Sequence, residues 1–347
     1  MKRKPPKKVR EAPKDLSRAV DELSWIVQHD EHDARLDRFL ARHLDWRSRT
    51  SIVELLQAGQ VKVAGEVVTK KSFRLREGKK VSVAVPPPEE PERHEELAAE
   101  LEDAILYEDP DLIALHKPPG LVVHPVGRTR VNTLIQALHW RFRHGVKRDE
   151  QVLGGSRPGE VGPVIPRVCH RLDKDTSGAI VFAKNSRART HMQLLIEGHE
   201  IEKVYLACVH GVPEPREGRI ELSLGTDTSG ERDLQVCVRE DGAHARTDYA
   251  LEEARSPFSW VRFRLHTGRQ HQIRVHSRAI GHPLLCDPVY GRGERAWPPE
   301  GPLLERQALH AWRLRFELPG GDELALEAPL PPDLASLRAW LSERAPA

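Results

Sequence analysis

Arg167-Val168-Cys169-His170-Arg171-Leu172-Asp173-Lys174-Asp175-Thr176-Ser177-Gly178 runs directly into Ala179-Ile180-Val181-Phe182-Ala183-Lys184. The first segment is polar and charge-rich, and the second is a short apolar run of buried-strand type. Polar loops that feed a core strand are where reacting groups are often held rigidly. Asp173 and Asp175 stand close enough in sequence to suggest paired carboxylates, but that spacing in a loop fixes no separation in space. Read locally, a turn aspartate that bonds backbone N–H groups or pairs with Arg171 explains the segment at least as well.

Distant segments change that balance. Lys203-Val204-Tyr205-Leu206-Ala207-Cys208-Val209-His210-Gly211 is a strand carrying one tyrosine, a flat apolar face with a polar tip. Leu265-His266-Thr267-Gly268-Arg269-Gln270-His271-Gln272-Ile273-Arg274-Val275-His276 brings Arg274, whose guanidinium can hold a carboxylate bidentately and keep it charged. Gly281-His282-Pro283-Leu284-Leu285-Cys286-Asp287-Pro288-Val289-Tyr290-Gly291 reads as scaffold around a site, and Leu309-His310-Ala311-Trp312-Arg313-Leu314 as a closing strand.

In this order the segments resemble the RluA-type family of RNA pseudouridine synthases, over roughly residues 33–330. The resemblance implies that Asp173 is the catalytic aspartate, that Tyr205 lies against the target base, and that Arg274 pairs with Asp173. Gln270 stands where the family more often has threonine. Cys286 replaces the family's usual glycine, and cysteine does not easily take a positive φ, so the turn is expected to differ there. Arg171 is a candidate for contacting RNA or filling the space a flipped nucleotide leaves. The reaction implied is an isomerisation that needs no metal and no organic cofactor. His266, His271 and His276 lie five apart, without a completing cysteine or carboxylate, and do not suggest zinc.

Ahead of these segments lies a second module. Ala34, Leu36, Phe39, Leu40 and Leu44 recur at helical spacing, and Ser51 stands three residues before Glu54 as in a capping box. Gly59 suits the helix end, and Val61-Lys62-Val63 alternates as a strand before a turn at Gly65. Lys80–Val85 closes the module as a last strand. Arg35-Leu36-Asp37-Arg38-Phe39-Leu40, Ser48-Arg49 and Gln57-Ala58-Gly59-Gln60-Val61-Lys62-Val63-Ala64-Gly65 resemble an S4 RNA-binding domain, with Ala64 where asparagine is usual. Arg47, Arg49, Lys62, Lys70 and Lys71 are its candidates for contacting the sugar-phosphate backbone.

Charge follows the same division. The formal net charge is only +2, yet residues 33–85 hold twelve basic and six acidic side chains, while residues 86–103 hold eight acidic and one basic. A basic module ahead of an acidic spacer suits a polyanion partner. Pro86-Pro87-Pro88-Glu89-Glu90-Pro91-Glu92 cannot continue a sheet and reads as an extended linker. The four cysteines are scattered and suggest neither disulfides nor a zinc site. No segment approaches a membrane span or a leader h-region.

The expected architecture is α+β: a small S4-like RNA-binding domain followed by a mixed, mostly antiparallel sheet catalytic domain of pseudouridine synthase type. The expected divisions are a basic flexible extension at 1–32, the RNA-binding domain at 33–85, an acidic proline-rich linker at 86–103 and the catalytic domain at 104–347. The expected partner is structured RNA, 23S ribosomal RNA ahead of transfer RNA, with no obligate protein partner and a cytoplasmic location.

Overall fold

The computed structural model describes residues 22–44, 49–84, 92–126, 129–144, 164–227, 236–291, 301 and 304–344. By compactness the chain forms two units, residues 1–100 with 122–150, and residues 101–121 with 151–347.

In the first unit the apolar spacing makes α1 (Leu36–His43), whose Leu36, Phe39 and Leu40 are buried. Helix α2 (Arg49–Gln57) adds Ile52, Leu55 and Leu56 to the same core. The expected capping box does not form: Ser51 lies inside the helix and is buried. The helix end is as expected. Gly59 takes φ 70°, the Gly59 N–H donates to Leu56 O, and the Gln60 N–H donates to Leu55 O, which satisfies two of the helix's free carbonyls. Strands β1 (Glu22–Ile26), β2 (Val61–Val63), β3 (Glu66–Val67) and β4 (Lys80–Ala84) form an antiparallel sheet in the order β1-β4-β2-β3. Ala64 and Gly65 turn β2 into β3 with φ of 52° and 92°, the mirrored turn that matches strand twist. Alanine bears that φ at a cost of about 1 kcal/mol.

Two expectations change here. The extension expected over 1–32 ends sooner, because Glu22–Ile26 pairs along its whole length with Lys80–Ala84; its Leu23 and Trp25 pack on the core, which outweighs the polar sequence around them. The rest of that expected flexible extension, residues 1–21, lies outside the described residues. The acidic linker is also not extended throughout, since His94–Glu102 is helix α3. Its Glu95 and Glu96 sit in the first turn, where carboxylates favour a helix.

The second unit holds β5 (Ile105–Glu108) and β6 (Leu112–Lys117); α4 (Leu134–His144) follows in the first unit. The chain continues through β7 (Arg167–Val168), β8 (Ser177–Ala183), α5 (Ser186–Glu197), β9 (Glu202–His210), β10 (Glu217–Thr226), β11 (Val236–Val238), β12 (Ala243–Arg255), β13 (Phe258–Leu265), α6 (Gln272–Ala279), β14 (Leu309–Glu317), β15 (Glu323–Glu327) and α7 (Pro332–Arg344). The strands form one sheet in the order β11-β10-β12-β13-β9-β14-β8-β6-β5, with β15 on β14 and β7 on β8. Among the described strands only β14 and β8 pair in parallel, so the mixed, mostly antiparallel α+β expectation holds. That parallel contact needs Gly178: it has φ 119°, and a Cβ there would strike the backbone of Ala311. Strand β8 is buried at every residue, so the loop ending at Ser177 is anchored on an interior strand of the sheet, between β14 and β6.

Candidate active site

The loop carrying Asp173 is tied down at nearly every residue. The Thr176 N–H donates to Asp173 O across the turn. Lys117, fully buried at the end of β6, donates from Nζ to the carbonyls of Lys174 (2.8 Å), Pro118 (2.7 Å) and Leu121 (2.9 Å). Burial pushes its pKa down to about 7, against the opposing pull of Asp175. Arg306 donates to Asp175 O at 3.0 Å while its Nε and Nη2 hold Asp333 at the start of α7. Gln307 reaches Thr176 Oγ1 at 3.3 Å, and His310 bonds Ser177 Oγ at 2.9 Å. The Val181 N–H donates to His170 Nε2 at 3.2 Å, and burial lowers the His170 pKa to about 3, so the ring is a neutral acceptor. Such complete pairing of buried polar groups fixes a loop as firmly as a secondary element.

Arg274 arrives from α6, whose start is set by Gln272. The Gln272 side-chain oxygen accepts from the Arg269 N–H (3.0 Å) and Thr267 Oγ1 (2.8 Å), and its nitrogen donates to Arg246 O and Thr247 Oγ1. The Arg274 guanidinium then meets two carboxylates. Its Nη1 is 3.3 Å from Asp173 Oδ2, and its Nε and Nη2 donate to Asp287 at 2.7 and 2.8 Å. Burial works against its charge, but the bonds and charge of Asp287, with Asp173 behind them, outweigh that and raise its pKa.

The expected pairing of Arg274 with Asp173 is therefore single and long, and the bidentate fork goes to Asp287. Asp175, the other carboxylate of the quoted loop, is not on this guanidinium; its carbonyl is held by Arg306 instead. Asp287 also accepts from the N–H groups of Val289 and Tyr290, both at 2.9 Å. Cys286, a residue type that does not easily take a positive φ, nevertheless adopts φ 56° in this turn. Anchors on both sides hold it there: the Leu285 N–H bonds Cys208 O, and Asp287 is locked as described. All four cysteines are free.

Tyr205 sits on the central strand β9, opposite Phe263 of β13 and Ala311 of β14. It is buried, and burial together with the Asp173 charge raises its pKa. Arg171 is exposed and pairs with no described residue. In the first unit Lys62, Lys70 and Lys71 are exposed; Arg49 opens α2, and Arg47 lies outside the described residues. Sequence reasoning missed Lys117, His271 and the direct role of Asp287. Lysine before Pro118-Pro119-Gly120 at the end of an apolar strand was the available signal for the first.

The other face of the sheet is different. A groove of about 1020 Å³ there is lined by Val204, Glu202, Arg219, Asp248, Arg264 and Arg313. Val204 and Tyr205 alternate, which puts this groove on the face away from Tyr205. Its charges are paired with one another, Arg219 with Asp248 at 2.8 Å and Arg264 with Glu202 at 3.5 Å. Among the described residues no group of three or more His, Cys, Asp or Glu is placed to hold a metal ion, and no helix is long and apolar enough to cross a membrane.

The family model for RNA pseudouridylate synthase matches residues 111–279, which span Asp173, Tyr205 and Arg274, and the S4 domain model matches residues 34–81. An RNA pseudouridine synthase of Bacillus subtilis, YlyB, described as uncharacterized, is 35% identical over 322 residues, covering 92% of this chain and 97% of that protein. The chain belongs to the RNA pseudouridylate synthase family. It is thus an isomerase acting on RNA, with an S4 domain at its N-terminal end. The ribosomal large subunit pseudouridine synthase D of Vibrio cholerae is 34% identical over 338 residues, covering 93% of this chain and 96% of that one. Among solved structures, human RNA pseudouridylate synthase domain containing 4 superposes with a TM-score of 0.54 at 25% identity, covering 72% of this chain and 97% of that one.

Proposed function

We propose that this pseudouridine synthase converts uridine in large-subunit (23S) ribosomal RNA, with Asp173 as its catalytic aspartate. The observation that carries the assignment is the unequal sharing of Arg274. Asp287 takes the fork and is enclosed, whereas Asp173 takes one long bond, keeps 26% of its side chain exposed and sits on an immobilised loop. A carboxylate held beside a countercharge and still open is placed to meet a substrate. The ribosomal target rests on relatives named as large-subunit enzymes.

The target uridine is flipped out of the RNA into the site, at an unstacking cost of a few kcal/mol. The bond from uracil N1 to ribose C1′ breaks while Asp173 acts on the nucleoside. The base rotates, C5 bonds to C1′, C5 gives up its proton and N1 gains one, so the product is an isomer. Tyr205 supports the base with its ring. Its raised pKa keeps the phenol protonated, which favours stacking and hydrogen bonding over a role as phenolate base at C5. Arg274 positions Asp173. Arg171 contacts the RNA, as do Arg47, Arg49, Lys62, Lys70 and Lys71 through phosphates. The same reading assigns residues 22–84 to RNA binding, since the strand at 22–26 joins the sheet expected within 33–85, and leaves 86–103, helix included, as the linker to a catalytic domain at 104–347, in the cytoplasm.

Mapping pseudouridine in total RNA from cells with and without the protein, and with Asp173→Asn, tests this. A 23S uridine that loses modification in both the deletion and the variant is expected. Loss at a transfer RNA site instead would replace the ribosomal target, and full modification by Asp173→Asn would remove the catalytic assignment.

A further inference from the structure

We propose that Tyr290 and His271 form a positioning pair for Asp173. Tyr290 fixes the tautomer of His271, and His271 turns its Nε2–H to the same oxygen that Arg274 touches, so Asp173 meets the nucleoside through its other oxygen. The inference rests on Asp173 being the catalytic aspartate and deepens that reading.

His271 directly precedes α6 with φ 53°, left-handed backbone for a residue with a Cβ. That conformation costs about 1 kcal/mol and is kept only where the surroundings dictate it. Its effect is to turn the ring inward, with 10% of the side chain exposed. Nδ1 lies 2.8 Å from Tyr290 Oη, and Nε2 lies 3.9 Å from Asp173 Oδ2.

Both ends select the same tautomer. Tyr290 Oη accepts from the Val236 N–H of β11 at 3.2 Å. Its own hydrogen is then free to point at His271 Nδ1, which leaves the ring proton on Nε2. At the far end, a bare nitrogen lone pair facing a carboxylate is repulsive, whereas an N–H is attractive. The charged neighbours of the ring are Asp173, Arg274 and Asp287. Burial lowers the His271 pKa and Arg274 adds to this, with Asp173 and Asp287 opposing. A neutral ring donates one hydrogen without cancelling the charge of the carboxylate.

Arg274 Nη1 and His271 Nε2 converge on Oδ2, and no described residue bonds Asp173 Oδ1. One oxygen is steered and the other is open. Tyr290 also lies beneath the Arg274 guanidinium, 4.9 Å from ring centre to Cζ, so the two donors share one support.

The test uses His271→Asn and Tyr290→Phe in the full chain, alone and together. Asparagine tolerates the left-handed backbone but cannot reach Asp173 as the imidazole does. Phenylalanine keeps the ring under Arg274 and removes only the hydroxyl. Single-turnover rates are expected to fall about tenfold to hundredfold for each, below the loss of a full oxyanion donor, with RNA affinity within about twofold, because neither residue is proposed to bind RNA. The double variant should be no slower than His271→Asn alone, because Tyr290 acts through His271. Multiplying losses, or wild-type rates in either single variant, would overturn the pair. If His271→Asn melts early, His271→Gln replaces it: its amide can reach Asp173 without help, so adding Tyr290→Phe should cost nothing further, and a further loss would overturn the pair. A wild-type protein that forms no pseudouridine in any RNA would instead overturn the function proposed above, which separates the two failures.

Discussion

Two segments of the catalytic unit each bring a carboxylate to the Arg274 guanidinium, and they treat it oppositely. The turn at 284–291 encloses Asp287 completely and gives it four donors, two from Arg274 and two backbone N–H groups. The loop at 170–176 is bound just as tightly through its backbone and buried side chains, yet it leaves the Asp173 side chain part-exposed with one long bond. A buried ion pair is worth little unless all its bonds are made. Asp287 meets that condition and serves as an anchor. Asp173 does not, and an incompletely satisfied charge on a rigid frame is what a reacting group requires. The lesson is that rigidity of backbone and openness of side chain are set separately.

The largest test of this contrast is Asp173→Asn, which keeps the shape and removes the charge. Single-turnover isomerisation should fall about 10³-fold, within the range for a catalytic group, while the melting temperature stays close to wild type because the loop is held through other atoms. A normal rate would make Asp173 another anchor. Asp287→Asn should do the reverse and act chiefly on stability. It strips Arg274 of its fork inside the protein, and breaking a buried pair from one side typically costs about 3–5 kcal/mol. Denaturant unfolding would measure it, and an unchanged midpoint would erase the distinction between the two carboxylates.

Two buried histidines, His276 on α6 beside Thr247 and His310 on β14 beside Ser177, make a smaller, pH-dependent contribution. Burial lowers the pKa of His276 and of His310 to about 4. The unfolded chain, with histidines near pH 6.5, then binds more protons than the folded one. Stability is fully present above about pH 6.5 and is lost as pH falls toward about 4. Each histidine should cost about 1–2 kcal/mol by pH 5. His310→Gln, which can still bond Ser177 or Ala328, should flatten part of that slope in unfolding measured at pH 7 and pH 5. The smallest effect belongs to the opposite face of the sheet. Arg315→Ala removes an ion pair with Glu323 in which both side chains are more than half exposed. It should change stability by less than about 1 kcal/mol and leave the rate alone; a clear rate loss would place RNA on that face.

Much of this was legible in order along the chain. The strand after Asp173, the strand bearing Tyr205 and the closing strand from Leu309 follow from apolar runs, because those depend on neighbours in sequence. Strand β1 escaped notice because its apolar residues gain their meaning only from β4. The helix at 94–102 was hidden by the prolines just before it. Ser51 looked like a cap, yet α2 begins at Arg49, two residues before it.

Residue identity and spacing along the chain were enough for the family and the two kinds of module, and they singled out Asp173, Tyr205 and Arg274 as candidates. A chain carries both before it folds. Packing between distant segments set how Arg274 divides its donors, that Asp287 takes the fork, that Cys286 holds a positive φ, and that His271 stands between Tyr290 and Asp173. Each of these is a contact between segments far apart in the chain, and a guanidinium with several donors has no preference among carboxylates until packing sets their distances.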